Sequence, residues 1–143
     1  MSRVMALDVG DRTVGVAVTD DTHTIAQGVT TVRRRSRAAD VAALQALVDQ
    51  YEVDRVVVGW PLRLDGRVGV QAMKVARFAE LIEAELGLPV ERFDERLTTV
   101  AAERALLEGD VSRKKRKQVV DQVAATLILQ GWLEARAHGA AGR

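Results

Sequence analysis

The sequence predicts an α/β fold in which helices flank a mixed five-stranded sheet. Its first third reads as three short strands separated by turns, which favours antiparallel pairing. The remainder alternates between helical and strand patterns, which favours parallel pairing with helices on the faces of the sheet. The chain has 143 residues, 48% of them hydrophobic and 29% charged, so it is long enough for one globular domain with a substantial core.

The three strands of the first third are marked by apolar runs between polar turns. The first, Arg3–Val9, is apolar on both alternating faces apart from Asp8, and the second, Thr13–Thr19, alternates valine with glycine and alanine. The turn between them, 10–12, is short enough for a hairpin. After a second turn, the third strand is predicted over Ile25–Val32.

Helix and strand signals then alternate to the end of the chain. Ser36 is a suitable N-cap for the first helix, and Gly87 ends the second. We expect one domain over residues 1–138 and a frayed tail at 139–143. The predicted elements in this part are a helix from Ser36 to Tyr51, a strand over Arg55–Gly59, a loop over Trp60–Gly69, a helix over Val70–Leu86, a strand over Val90–Asp94, a helix from Thr98 or Thr99 to Glu108, and a last helix over Arg113–Ala137.

The residue types exclude several classes of protein. There is no cysteine, so the chain has no disulfide, thiolate zinc site or cysteine nucleophile, and this suits a reducing cytoplasm. No stretch reaches about 18 apolar residues and the start lacks a signal-peptide layout, so we expect no membrane span. The two histidines, His23 and His138, lie far apart, so a bound metal would be a hard cation held by carboxylates.

Basic residues are concentrated in two runs, although the net charge is only +1. The runs hold nine of the 21 basic residues and no acidic one, which leaves twelve basic residues against 20 acidic ones elsewhere. Such segregation is typical of a surface that binds a polyanion such as nucleic acid; the alternative is two solvated loops or helix starts. The first run is Arg33, Arg34, Arg35 and Arg37, and the second is Arg113, Lys114, Lys115, Arg116 and Lys117.

Asp8 is a candidate site residue because it interrupts an apolar strand at the predicted centre of the sheet. An ionised carboxylate in such a place is costly unless it is paired or binds a metal. The alternative is that its side chain caps the turn at Gly10, which is a common role of aspartate. The pattern leaves both interpretations open.

Asp94 and Glu95 end the fifth predicted strand. Ligands of α/β sheets gather outside the carboxyl ends of parallel strands, so this is a favourable place for a functional acid. Adjacent strand residues point to opposite faces, so only one of the two is expected to face a given site. The other is then a structural partner for Arg92 or Arg96.

Asp121 lies on the apolar face of the last predicted helix. An i,i+4 pair with Lys117 would contribute only about 0.2–0.5 kcal/mol. That is less than the cost of taking the carboxylate out of water, so we expect a functional role. The apolar residues that share this face are Ala124, Ala125, Ile128 and Trp132.

Three carboxylates, from the first strand, the end of the fifth strand and the last helix, can converge at one edge of the sheet. They cannot all remain ionised without a counter-charge, which Mg²⁺ or Mn²⁺ supplies. Two such ions form the clamp that stabilises the attacking and leaving oxygens in phosphodiester cleavage. Beside basic runs suited to phosphates, this combination predicts a nuclease.

Four sequence blocks carry a specific resemblance to a known family, and they cover nearly the whole chain. They are LDVGDRTVGVAVTD at 7–20, VVVGWPLRLDG at 56–66, FDERLTT at 93–99 with AAERAL at 101–106, and VVDQVAATLILQGWL at 119–133. In this order and spacing they resemble the YqgF/RuvX family of the RNase H-like superfamily. The resemblance implies an RNase H-like fold with the mixed five-stranded sheet.

The resemblance also implies the functional residues. Asp8, Glu95 and Asp121 correspond to the family's acidic positions, which favours Glu95 over Asp94; Asp8 would bridge two Mg²⁺ or Mn²⁺ ions, and the other two acids would each bind one. Family members are regarded as nucleases for the 5′ end of pre-16S ribosomal RNA or as Holliday-junction resolvases. Residues expected to bind flanking phosphates are Arg12, Arg96, Arg113, Lys114, Lys115, Arg116 and Lys117.

Two other functions compete with the nuclease. The sequence of an actin-like ATPase or sugar kinase also begins with a strand that carries an aspartate and ends at a glycine turn. Such an enzyme needs two domains of this kind around its nucleotide, and 143 residues provide one. A non-catalytic RNA-binding protein would gain nothing from acids beside phosphates. Structured RNA and branched DNA both remain possible substrates, and no long exposed apolar stripe indicates the homodimer that a junction resolvase requires.

Overall fold

Five strands form one mixed sheet in the computed structural model, which describes residues 2–98 and 113–137, with side chains for 2–98 and 123–137. The strand order is β3-β2-β1-β4-β5, with antiparallel pairing of the first three strands and parallel pairing of β1 with β4 and of β4 with β5. This confirms the predicted mixed sheet. The strands are β1 (Arg3–Val9), β2 (Thr13–Thr19), β3 (Ala26–Arg33), β4 (Val53–Trp60) and β5 (Val90–Asp94).

Two strands differ from their predicted bounds. β3 is displaced by one residue, and β4 starts at Val53 rather than Arg55 and ends at Trp60 rather than Gly59. The extra residues of β4 pair with its neighbours: Val53 with Arg3 of β1, and Trp60 with Asp94 of β5. Sheet pairing therefore extends the strand beyond its β-branched centre.

Three helices have the bounds that their sequence signals predicted: α1 (Arg37–Tyr51), α2 (Val70–Leu86) and α3 (Arg113–Ala137). Ser36 caps α1, because its hydroxyl accepts the Ala39 N–H at 3.1 Å. Gly87 ends α2 with a φ of 67°, a backbone conformation that favours glycine. No described helix is long and apolar enough to cross a bilayer. The predicted helix from Thr98 or Thr99 to Glu108 falls almost entirely outside the described residues, as does the tail 139–143.

The helices cover the sheet from both sides, so the central strands are buried on both faces. Alternate residues of β1 point to opposite faces: Met5 and Leu7 pack with residues of α1 and α2, whereas Val4 and Ala6 pack with residues of α3. By the same alternation, Asp8 lies on the α3 face. The sheet thus presents a buried carboxylate to α3.

Parallel pairing brings the carboxyl ends of β1, β4 and β5 to one edge of the sheet. Asp8 is the penultimate residue of β1, and Asp94 and Glu95 follow each other at the end of β5. The turn 10–12 lies at the same edge, because it follows β1 directly. We call this the carboxylate edge.

Candidate active site

Asp8 is a buried carboxylate with a glycine beside it on each neighbouring strand. It is 5% exposed, and its registered partner on β2 is Gly15. On β4, Gly59 follows the last registered pair, which joins Leu7 to Val58. Because glycine carries no side chain, neither neighbouring strand places a side chain of its own beside Asp8 on the α3 face.

The first residue after β5, Glu95, extends its side chain back over β4. Glu95 begins a single 3₁₀ turn, Glu95–Leu97, which redirects the chain at the end of the strand. A Cβ added to Gly59 would lie 2.7 Å from Glu95 Oε2 and 2.5 Å from Ile128 Cδ1 of α3. The carboxylate of Glu95 therefore occupies the space above Gly59, and a side chain at position 59 would displace Glu95 or Ile128.

This arrangement brings two of the three predicted acids to the same place. Asp8 and Gly59 lie on adjacent strands, whose spacing is about 4.8 Å, and the Glu95 carboxylate lies over Gly59 on the same face as Asp8. Sequence reasoning missed Gly15 and Gly59, the glycines on the two strands beside Asp8. The signal was present, since Gly15 and Gly59 interrupt otherwise valine-rich strands.

Asp94 has a structural role beside this pair. Its carboxylate accepts the Arg96 backbone N–H at 2.9 Å and the Arg96 Nη2 at 2.7 Å. Mainly through this side-chain hydrogen bond, Arg96 lowers the pKa of Asp94 from its ordinary value, and Asp94 in turn raises the pKa of Arg96. The prediction that one of the adjacent acids pairs with a nearby arginine is thus confirmed for Asp94.

Arg96 also contacts the loop 61–69 that follows β4. Its Nη1 lies 3.5 Å from the Leu64 carbonyl oxygen and 3.3 Å from where a Cβ on Gly66 would stand. Gly66 has a φ of 87°, so the loop needs glycine there. The Leu64 side chain at the tip is 94% exposed. Arg96 therefore connects the end of β5 to the loop, while its role toward phosphates stays a prediction.

Replacing Arg96 with glutamine is expected to raise the pKa of Asp94 toward its ordinary 3.8 and to loosen the loop. A depressed folded-state pKa stabilises the fold above the unfolded-state pKa, and that stabilisation is lost as pH falls through the folded-state pKa. The stability difference between wild type and Arg96→Gln should therefore shrink below about pH 4. Carboxyl-carbon NMR titration and denaturant unfolding at several pH values measure both effects.

The matched control for this experiment is Arg67→Gln. Arg67 lies in the same loop, is 82% exposed in its side chain, and contacts Asp65 at a longer distance of 3.6 Å. It should leave the pKa of Asp94 unchanged. An Asp94 pKa that is the same in Arg96→Gln and wild type would contradict the assigned role of the pair.

Other predicted site residues are placed only in part. Asp121 lies within α3, seven residues before Ile128, which corresponds to about 10.5 Å along the helix axis. Its side chain lies outside the described residues, as do those of the basic run 113–117 at the start of α3. Arg12 is exposed in the turn after β1 and forms no ion pair within the described part of the chain. These assignments stay predictions.

Asp8 and Glu95 fit a hard divalent cation. Both supply carboxylate oxygens, which Mg²⁺ and Mn²⁺ prefer, and the Glu95 carboxylate lies over Gly59, on the strand next to Asp8. The burial of Asp8, with a second carboxylate on the same face of the sheet, favours a positive counter-charge. No group of three metal-ligating residues occurs among the described side chains, a set that does not include Asp121.

Comparison with known proteins settles the family. A model of the family described as RuvX, Holliday junction resolvase, matches residues 2–135. The chain belongs to the RuvX family. A Moorella thermoacetica protein named "Putative pre-16S rRNA nuclease" is 58% identical over 132 residues, covering 92% of this chain and 94% of that protein. A RuvX relative of the same name from Heliobacterium modesticaldum is 53% identical over 139 residues, covering 97% and 93%.

Solved structures confirm the predicted RNase H-like fold. Thermus thermophilus RuvC in complex with a Holliday junction substrate is similar with a TM-score of 0.59 at 13% identity, covering 95% of this chain and 96% of that one. The Fowlpox virus resolvase in complex with Holliday junction DNA has a TM-score of 0.52 at 9% identity, covering 93% and 97%. RuvX and these resolvases share the fold.

Proposed function

We propose that this protein is a divalent-metal-dependent nuclease that processes the 5′ end of pre-16S ribosomal RNA. The observation that carries the proposal is the placement of the Glu95 carboxylate over Gly59, on the same sheet face as the buried Asp8. The names of its relatives support this substrate, and membership of the RuvX family supports cleavage of a phosphodiester bond.

In this proposal Asp8, Glu95 and Asp121 hold Mg²⁺ or Mn²⁺ at the carboxylate edge. When bound, such ions supply a water nucleophile at neutral pH and stabilise the oxygen that leaves. Asp8 fixes the site to the centre of the sheet, because β1 is paired on both sides. Arg12, Arg96 and the basic run 113–117 bind phosphates on either side of the scissile bond.

A second candidate function is Holliday-junction resolution on branched DNA. The family description and the two resolvases solved with junction DNA favour it. A resolvase must make two symmetric cuts, so this function requires a dimer at working concentration. RNA processing makes no such demand.

The two candidates are separated by giving one protein both substrates. Labelled structured RNA carrying a 5′ extension and a labelled four-way DNA junction are incubated with the full chain in Mg²⁺, in Mn²⁺ and in chelator. The proposal expects metal-dependent cleavage of the RNA. Cleavage of the junction alone, by a dimer, would replace it with the resolvase, and binding without cleavage of either would leave only a binding protein.

Matched variants test whether the cleavage depends on the carboxylate edge. Asp8→Asn and Asp121→Asn should remove the cleavage, whereas Asp54→Asn should not, because Asp54 is exposed near the start of β4, at the opposite end of that strand. Loss of activity in Asp54→Asn as well would show that charge in general, rather than the carboxylate edge, determines the rate.

A further inference from the structure

A basic cavity lies on the other face of the sheet, between α1 and α2. Its volume is about 650 Å³, and its lining includes five cationic side chains and two carboxylates. It lies at the carboxylate edge, because Asp11 of the turn after β1 belongs to its wall. The cationic residues are Arg34, Arg35, Arg37, Lys74 and Arg77.

Each of the two carboxylates of the cavity forms an ion pair with a cationic side chain of the lining. Asp40, which is 5% exposed, accepts the Arg35 backbone N–H at 2.9 Å and lies 3.6 Å from Arg34 Nε. Asp11 lies 3.3 Å from Lys74 Nζ. The charges of these two pairs cancel, so the cavity retains the charge of the other three arginines.

Those three arginines, Arg35, Arg37 and Arg77, are exposed, and none forms an ion pair with a residue in the described ranges. Arg35 and Arg37 flank Ser36, the N-cap of α1, where the helix dipole adds further positive potential. Arginine presents a planar set of donors that matches the oxygens of a phosphate. The cavity therefore favours phosphate as its ligand.

Arg34 fixes this cavity to the backbone next to Asp8. Its Nη1 donates to the Gly10 carbonyl at 2.7 Å, and its backbone N–H donates to the Arg12 carbonyl at 2.8 Å. Its guanidinium also lies 4.8 Å from the centre of the Phe78 ring of α2. Arg34 thus joins the turn after β1 to α2 and holds the two sites in a fixed relation.

The cavity lies within reach of a strand bound at the carboxylate edge. Asp11 follows Asp8 by three residues, which span at most about 11 Å. In a B-form DNA duplex each strand carries a phosphate about every 3.4 Å along the helix axis, so about 11 Å corresponds to a few nucleotides. We propose that the cavity binds backbone phosphates of the substrate, a few nucleotides from the scissile bond. This inference rests on the proposed function, since it assumes a substrate at the carboxylate edge.

The test measures binding in chelator, so that it does not depend on cleavage. A fluorescent 24-nucleotide single-stranded RNA is titrated with the full chain at several salt concentrations. The test variant carries Arg35→Gln, Arg37→Gln and Arg77→Gln. The control carries Arg3→Gln, Arg55→Gln and Arg136→Gln, which removes the same charge from sites outside the cavity.

We expect the test variant to bind at least tenfold more weakly. Its slope of log Kd against log salt should become shallower by about 0.7 for each phosphate that the variant no longer neutralises, or by about two in all. The control variant should keep the wild-type slope. A third variant with lysine at the three positions should recover most of the slope, which shows that the glutamine substitutions removed charge rather than disturbed folding.

Three results would overturn the inference. The first is an equal slope in test and control variants, and the second is a lysine variant that stays as weak as the glutamine variant. The third is polyglutamate of equal charge displacing the RNA as well as unlabelled RNA does, since the cavity would then bind polyanions of any kind. A wild-type chain that binds with the expected slopes but cleaves neither substrate in metal would contradict the proposed function alone.

Discussion

Asp8→Asn is expected to lower metal-dependent cleavage by at least about a thousandfold while leaving the chain folded. The amide has nearly the shape of the carboxylate, so packing on the α3 face is preserved. It carries no charge, however, and a hard divalent cation prefers charged oxygen ligands. Because β1 is paired on both sides, the backbone position of Asp8 is fixed by the sheet.

Thermal unfolding separates this effect from a loss of fold. A ligand that binds only the folded state stabilises it, by about 2.7 kcal/mol at a hundred times its Kd. Mn²⁺ should therefore raise the Tm of wild type but not that of Asp8→Asn. Without metal, the variant should stay folded, because the amide keeps nearly the volume of the carboxylate.

The matched control is Asp54→Asn, which should respond to Mn²⁺ as wild type does. If Asp8→Asn keeps both its cleavage rate and its Mn²⁺ response, Asp8 has no part in the mechanism. If it loses both and also unfolds without metal, the aspartate serves the fold rather than the reaction.

Gly59→Ala is expected to lower both stability and activity, through one added methyl group. That Cβ would stand 2.5 Å from Ile128 Cδ1 and 2.7 Å from Glu95 Oε2, which is closer than real contacts allow. Because both atoms are the ends of flexible side chains that can move, the cost in unfolding free energy should be about 1 kcal/mol, at the low end of the range for overpacking. Because the Glu95 carboxylate must move away from Asp8, cleavage should fall by about a hundredfold or more, as expected when a metal ligand is displaced by about 1 Å.

A second substitution separates the loss of stability from the loss of activity. Ile128→Val removes the Cδ1 atom that the new methyl group meets, so Gly59→Ala with Ile128→Val should regain much of the unfolding free energy. Its cleavage should stay about a hundredfold below that of wild type, because the methyl group still lies 2.7 Å from the position of Glu95 Oε2. Recovery of activity together with stability would show that the position of Glu95 does not limit the reaction.

Much of the fold was predictable because local patterns and tertiary structure agree. Alternation predicted β1 and β2, and Ser36 and Gly87 predicted the start of α1 and the end of α2. The bounds of β4 were less predictable because the pairing of its ends depends on β1 and β5, which lie far away in sequence.

The candidate site was predictable as a set of acids but not as a geometry. The spacing could not show that the turn after β5 aims Glu95 back over Gly59, since this depends on the parallel register of β4 with β5. It also could not show that Arg34 donates a hydrogen bond to the Gly10 carbonyl and pairs with Asp40, whereas other arginines of the same run are exposed. The contacts of Glu95 with Gly59 and of Arg34 with Gly10 join residues that lie far apart in the sequence, so local patterns do not predict them.

The central position of Asp8 has a consequence for how this protein can change. A strand paired on both sides is among the slowest parts of a sheet to open, so the proposed chemistry is anchored where the backbone moves least. The exposed arginines of the cavity, Arg35, Arg37 and Arg77, lie at the rim and carry few constraints of packing. New substrate preferences can therefore arise by exchanging peripheral side chains, without disturbing the catalytic scaffold.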